Sequence, residues 1–327
     1  MIIASIYALL AAAAWGTSDF ISLIPSRKVG YYITATFLQT IGFAEVLVYV
    51  LVTNPSQMSI FISHPALSVV GILVGVFAYL SILFLLRGFT IGAMSIVSPI
   101  SATYPVITIL LSIAFLGATL EGVQTLGIAL LLTGIIMAGI RLSELRKPKP
   151  LVSSNQDPSV NLPDIVQSSS VVDKQNSQGS SSNGRIVRGV IPAMGTAICA
   201  GLVFFGLGFV TPVFGSLPPV ILVKGTATGL SFALLGTFKQ KFHIPRNRTI
   251  FFLVIIGALD SLGLIFFNLG VLVAGSNLPI VVTISSMGTI LTVLLANIFY
   301  KERLDKIQYL GIAILLIGLS IVLYFST

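Results

Sequence analysis

Long apolar runs, separated by short polar breaks, occupy most of the chain. A helix that crosses lipid needs about 20 mostly apolar residues, because no water is present to satisfy its backbone. Ten stretches meet that requirement, at roughly 2–23, 31–53, 66–87, 93–116, 121–140, 189–209, 218–238, 250–273, 277–299 and 307–325. A β-barrel strand would read as a short segment of alternating polarity, whereas these runs are continuous. The pattern therefore predicts an all-α membrane protein with ten transmembrane helices. The first run has no Lys or Arg ahead of its apolar core and nine more spans follow, so it reads as a helix that stays in the membrane rather than a cleaved signal peptide.

One interruption differs from the rest. Residues 144–187 are polar and Ser-rich, as in Ser168-Ser169-Ser170 and Ser180-Ser181-Ser182, and show no apolar period. Such a segment cannot bury enough surface to fold. It reads as a disordered linker between two five-helix units, residues 1–143 and 188–327.

Composition agrees and charge adds an orientation. Apolar residues make up 55% of the 327 and charged ones 9%, with a mean hydropathy of +1.03. A soluble domain carries about 25% charged residues, so soluble enzymes and nucleic-acid binders are excluded. The net charge of +8 is explained by its distribution. Of the 18 Lys and Arg residues, all but Lys224 lie in or beside alternate loops: after helices 1, 3, 7 and 9, and in the linker and its flanks. The termini and the loops after helices 2, 4, 6 and 8 have none. Basic loops stay in the cytoplasm, so both termini are expected outside and segment 144–187 inside. Cys199 stands alone, which excludes an intrachain disulfide or a Cys-rich zinc site. His64 and His243 fall in or near loops, and neither a metal nor a cofactor is expected.

The halves repeat. With an offset of 184, residues 96–134 align with 280–318 without a gap, including Ile96/Ile280, Ser101/Ser285, Thr108/Thr292, Gln124/Gln308, Gly127/Gly311 and Gly134/Gly318. Apolar bias does not explain the shared Gln or the shared Gly spacing. Each half has five spans, an odd number, so the copies must be inverted, as in many secondary transporters. Together with Trp15-Gly16 in helix 1 and the Gly88–Ala118 run, these motifs resemble the drug/metabolite transporter (DMT) superfamily in its EamA-type branch. The resemblance implies a ten-helix carrier with a central cavity lined mainly by helices 1, 3, 4, 6, 8 and 9, with helices 5 and 10 peripheral. Members of that family are drawn with cytoplasmic termini, and the charge distribution here predicts the reverse.

Ionisable side chains at membrane depth cost roughly 2.5–3.5 kcal/mol each on insertion scales and are functional candidates by default. Four qualify: Asp19, Glu45, Lys224 and Asp260. Asp19 shares a helix face with Trp15, Ser18 and Ser22; it suits a proton or cation site, or else caps helix 1 or pairs with Arg27 or Lys28. Lys224 and Asp260 are expected to pair, as a structural element or a gate. Asn268 lies two turns from Asp260 on roughly the same side. Glu45 is either a hydrogen-bonded neutral group or part of a proton relay. Helix 4 carries Ser98, Ser101, Pro105, Thr108 and Ser112 on one face, next to Tyr104, and the repeat places Ser285, Thr289 and Thr292 in helix 9. These two stripes should face each other across the pseudo-twofold axis, lining a cavity or gluing helices together. Pro99 and Pro105 should break helix 4, and Pro279 should start helix 9. The paired glycines read as packing surfaces. A Gly-x-x-x-x-Gly-Lys-Ser/Thr phosphate loop is lacking.

The expected function is secondary active transport of a small organic solute (amino acid, metabolite or drug-like compound), coupled to protons, across the plasma membrane. The expected partners are that solute, H+ and the lipid bilayer, with no nucleic acid, in a monomer or homodimer. The rival readings are a membrane-embedded receptor or scaffold, or a lipid-acting enzyme without a recognisable catalytic motif.

Overall fold

The structure is a computed structural model that describes residues 2–118, 122–139, 182–237, 245, 248–275, 277–300 and 305–325. Most of the expected linker, 144–181, lies outside the described residues. Apart from two short helical turns, Pro55–Ser59 and Ile60–Ser63, the helices are α1 Ile2–Val29, α2 Tyr31–Thr53, α3 Pro65–Ile91, α4a Met94–Ser101, α4b Tyr104–Phe115, α5 Gly122–Gly139, α6 Ser182–Phe214, α7 Pro218–Thr237, α8 Thr249–Ala274, α9a Leu278–Ser285, α9b Gly288–Tyr300 and α10 Lys306–Phe325. Eight units, with α4 and α9 each taken as one, are long and apolar enough to cross a membrane, and α5 and α10 are shorter apolar helices. The protein is an all-α membrane protein built from two five-helix repeats.

The polarity of the molecule is inverted relative to a soluble fold. Its exposed positions include Val52, Ile62, Phe115, Ile191 and Tyr324, while Ser18, Thr34, Gln39, Ser98, Thr108, Ser231 and Asn268 are buried. That is the arrangement a lipid solvent favours: apolar side chains outside, polar ones turned in among the helices.

The repeats are joined by reciprocal contacts. Helix α1 packs on α8 as α6 packs on α3; α2 meets α7, and α5 meets α10. At the α5–α10 seam, a Cβ on Gly134 would lie 2.6 Å from the Gly311 carbonyl oxygen, and one on Gly318 would lie 2.8 Å from that of Gly127. The four glycines thus do the same thing in both copies, letting two backbones touch where any side chain would separate them. In the first two helices of each half the repeat runs at an offset of 185. Gly30 and Gly215 end α1 and α6 with φ of 90° and 84°, the left-handed region that favours glycine.

Helices 4 and 9 are both broken, at residues 102–103 and 286–287. Each break is a tight turn: Thr103 N donates to Ile100 O at 3.2 Å, and Met287 N to Ile284 O at 3.1 Å. In helix 4 the break falls between Pro99 and Pro105, as expected. In helix 9 it occurs without a flanking proline. Pro279 sits at the start of α9a, as expected. What both breaks share is a hydroxyl bonded back to its own helix, Thr103 Oγ1 to Ile100 O at 2.8 Å and Ser286 Oγ to Thr283 O at 2.6 Å. Such bonds compete with the helical ladder and favour a bend.

Candidate functional site

A cavity of about 150 Å³ lies between the repeats. Its walls come from α1, α2, α3, α4, α6, α7, α8 and α9. Helices α5 and α10 take no part, while α2 and α7 contribute Gln39 and Lys224 beyond the set the family resemblance implied.

Two of the four ionisable residues are joined. Lys224 and Asp260 form a hydrogen-bonded ion pair, with the Lys224 side chain 3% exposed. Asp260 is the twelfth of 26 residues in α8, close to mid-span. Gly42 of α2 faces the Lys stem, where a Cβ would lie 3.4 Å from Lys224 Cε. Ser261, the next residue, donates to Glu45 Oε1, so Glu45 is held beside the pair but off the cavity wall.

Asp19 is different. It lines the cavity, and among the described residues its carboxylate has no hydrogen-bond or ion-pair partner. Arg27 and Lys28 are exposed at the end of α1 and form no ion pair with it. The capping alternative fails too, because α1 runs ten residues past Asp19 to Val29.

Trp15 sits one turn before Asp19. Its indole donates to Asp260 O at 3.2 Å and occupies space left by Gly263, where a Cβ would lie 2.5 Å from Nε1. Its ring meets Phe204 edge-on with centroids 5.4 Å apart, and Tyr104 stacks on Phe204 at 4.7 Å. Trp15, Tyr104 and Phe204 therefore make one aromatic wall of the cavity.

The hydroxyl stripes do face each other. Ser98 Oγ and Thr289 Oγ1 are 2.6 Å apart across the repeat boundary. Ser101 and its repeat mate Ser285 both line the cavity, and each has a buried hydroxyl with no partner among the described residues. Deeper positions of the same stripes turn away. Thr108 Oγ1 donates to Gly201 O and Thr292 Oγ1 to Gly16 O, each at 3.0 Å. The geometry makes these two hydroxyls interhelical ties rather than cavity wall. Asn268 also leaves the cavity: its amide accepts from Thr211 Oγ1 at 3.1 Å and donates to Ser216 O at 2.9 Å. Of the thirteen candidates, Glu45, Thr108, Asn268 and Thr292 are thus off the wall, and the other nine are on it.

Sequence reasoning passed over Gln39, Ser81, Thr196 and Phe204, all on the wall. Gln39 carried a signal of its own, an amide within an otherwise apolar span. Ser81 and Thr196 exchange hydroxyl-to-carbonyl bonds at 3.4 Å across α3 and α6 and look like any helix-binding pair in sequence.

The profile of the EamA-like transporter family matches residues 2–140 and 187–324. The chain belongs to that family. It is accordingly a multi-pass membrane transporter of the drug/metabolite type, acting on a small-molecule solute. No curated protein matches the chain significantly. A solved crystal structure of a protein 15% identical is similar with a TM-score of 0.65, covering 98% of this chain and 96% of that one. At that identity the likeness concerns the fold. The cavity lies between the two matched segments, with lining residues from both.

Proposed function

We propose that this protein is a proton-coupled secondary active transporter that moves a small organic solute by alternating access. The observation that carries the reading is the cavity between the repeats, enclosed by membrane-spanning helices, with Asp19 on its wall and, among the described residues, in no ion pair. A lone carboxylate at that depth is stable only when a proton or other cation joins it. Uptake and release of that cation, in step with the solute, is what coupling requires. The broken helices α4 and α9 and the glycine contacts at Gly16 and Gly201 supply elements that can rock against each other. The orientation that fits the basic loops has both termini outside and segment 144–187 in the cytoplasm, with residues 1–143 and 188–327 as the two moving units.

The experiment is a solute screen in proteoliposomes with and without an imposed pH gradient. The gradient should drive solute flux in the native protein and fail to do so in Asp19→Asn. Gradient-driven flux of unchanged size in Asp19→Asn would remove the residue from coupling. Flux indifferent to the gradient in the native protein would remove the proton.

A further inference from the structure

We infer that the cavity takes an organic monocation, a protonated amine carried on an apolar or aromatic body, with its ammonium against Asp19. The inference rests on the transport reading for its purpose, and on four independent features of the cavity for its chemistry.

The first is charge. Around the cavity stand the carboxylates of Asp19, Asp260 and, just behind the wall, Glu45, against one ammonium among the described lining residues, that of Lys224. Lys224 is already committed to Asp260. A ligand carboxylate or phosphate therefore finds no free cation on the wall, while a ligand cation finds a free carboxylate. Burying an uncompensated charge is costly, so a cationic ligand would remove the penalty that an anionic one would increase.

The second is the wall beside Asp19. Trp15, Tyr104 and Phe204 form a contiguous aromatic surface there, with Phe267 behind, 4.7 Å from Phe204. Aromatic faces attract ammonium ions through the ring quadrupole, and desolvation strengthens the attraction. The third is a set of polar atoms that lack partners among the described residues. Gln39 Oε1, Ser101 Oγ and Ser285 Oγ are buried without a hydrogen bond, on residues 1%, 6% and 2% exposed, and all three residues line the cavity. A buried polar atom left unpaired is expensive. Gln39 Oε1 can only accept, so it requires a donor, and an ammonium N–H is one. The fourth is size: the cavity holds about 150 Å³, the volume of an apolar cavity that takes up one benzene ring, which suits a small aromatic amine and exceeds what a proton or bare metal ion needs.

Trp15 is the chain's sole tryptophan, so intrinsic fluorescence reads this wall directly. The test is a fluorescence titration of the purified full chain in lipid nanodiscs, without any gradient. The probes are 2-phenylethylammonium, its N-trimethyl analogue, 2-phenylethanol and phenylacetate. Both cations should bind at least about tenfold tighter than the neutral alcohol, within the worth of a desolvated cation held against aromatic faces, and phenylacetate should bind weakest. Asp19→Asn should reduce cation affinity by about tenfold or more while leaving the alcohol unchanged, and Asp19→Glu should restore part of it. Gln39→Leu should weaken 2-phenylethylammonium but not the trimethyl analogue, which has no N–H to give. Each variant is compared with the native chain for elution volume and thermal midpoint, so that loss of fold is not scored as loss of binding. Equal binding of cation and alcohol, tighter binding of phenylacetate, or full cation affinity in Asp19→Asn overturns the inference. Binding without gradient-driven flux would defeat the coupling reading and leave the cation site standing; gradient-driven flux of a neutral solute with no amine binding would do the opposite.

Discussion

Replacing Asp260 by Asn leaves the Lys224 ammonium buried without its counter-charge. Breaking a buried ion pair from one side costs about 3–5 kcal/mol, whereas replacing both partners is close to neutral. Asp260→Asn is therefore expected to lower the thermal midpoint sharply, and Lys224→Met with Asp260→Asn to recover most of the loss. Thermal unfolding of the three variants in one detergent measures this, and a double variant no more stable than the single one would show that the contact contributes little. A second residue-scale expectation concerns Gly263. A Cβ there meets the indole of Trp15 at 2.5–2.9 Å, and overpacking of this kind costs roughly 1–3 kcal/mol. Gly263→Ala should displace the ring, break its bond to Asp260 O and shift the emission maximum. An unchanged spectrum would mean that the ring has room the geometry does not reveal.

At the scale of elements, the repeat makes a symmetric statement. Gly16 lies against the Gly288 carbonyl at the start of α9b, and Gly201 lies 3.2 Å, at the Cβ position, from the Tyr104 carbonyl at the start of α4b. Position 104 maps to 288 under the offset of 184. Beside each contact a threonine ties the same pair of helices, Thr292 to Gly16 O and Thr108 to Gly201 O. Each broken helix is thus clamped at its break to the first helix of the opposite half. Thr108→Val and Thr292→Val keep the shape and remove one hydrogen bond each, a loss of about 0.5–1.5 kcal/mol. The two should lower stability by similar amounts, and denaturation midpoints that differ widely would argue that the halves are not energetically equivalent. Gly16→Ala should be worse than either, because the atom in its way is backbone and cannot swing aside.

For the whole molecule, the charge distribution and the family habit predict opposite orientations. The basic residues outside the spans gather on alternate loops, and loops near span ends obey the charge bias most closely. A reporter fused after Thr327 should therefore be found outside the cytoplasm, and one inserted at Ser169 inside it. A C-terminal reporter found in the cytoplasm would invert the molecule while leaving its ten-helix architecture intact.

The ten spans, the repeat and the pairing of Lys224 with Asp260 could be read along the chain, because each follows from a local cost. Lipid forbids unsatisfied backbone, so span length is written in apolar runs. A buried charge demands a partner, and few were on offer. The offset of 184 was visible because the paired glycines answer to tight packing at the α5–α10 seam, and because Gln124/Gln308 is a polar match within apolar runs. Three things were decided only by packing. Thr108 and Thr292 share a face with Ser101 and Ser285, yet one pair ties backbone and the other lines the cavity, since a hydroxyl's role depends on which helix lies opposite. Asn268 shares a helix side with Asp260, but two turns of rise carry it to Thr211 and Ser216 and out of the cavity. The break in helix 9 has no proline to announce it; Ser286 takes its place by bonding its own helix. Periodicity names the face of a helix, and only the tertiary structure says what that face meets.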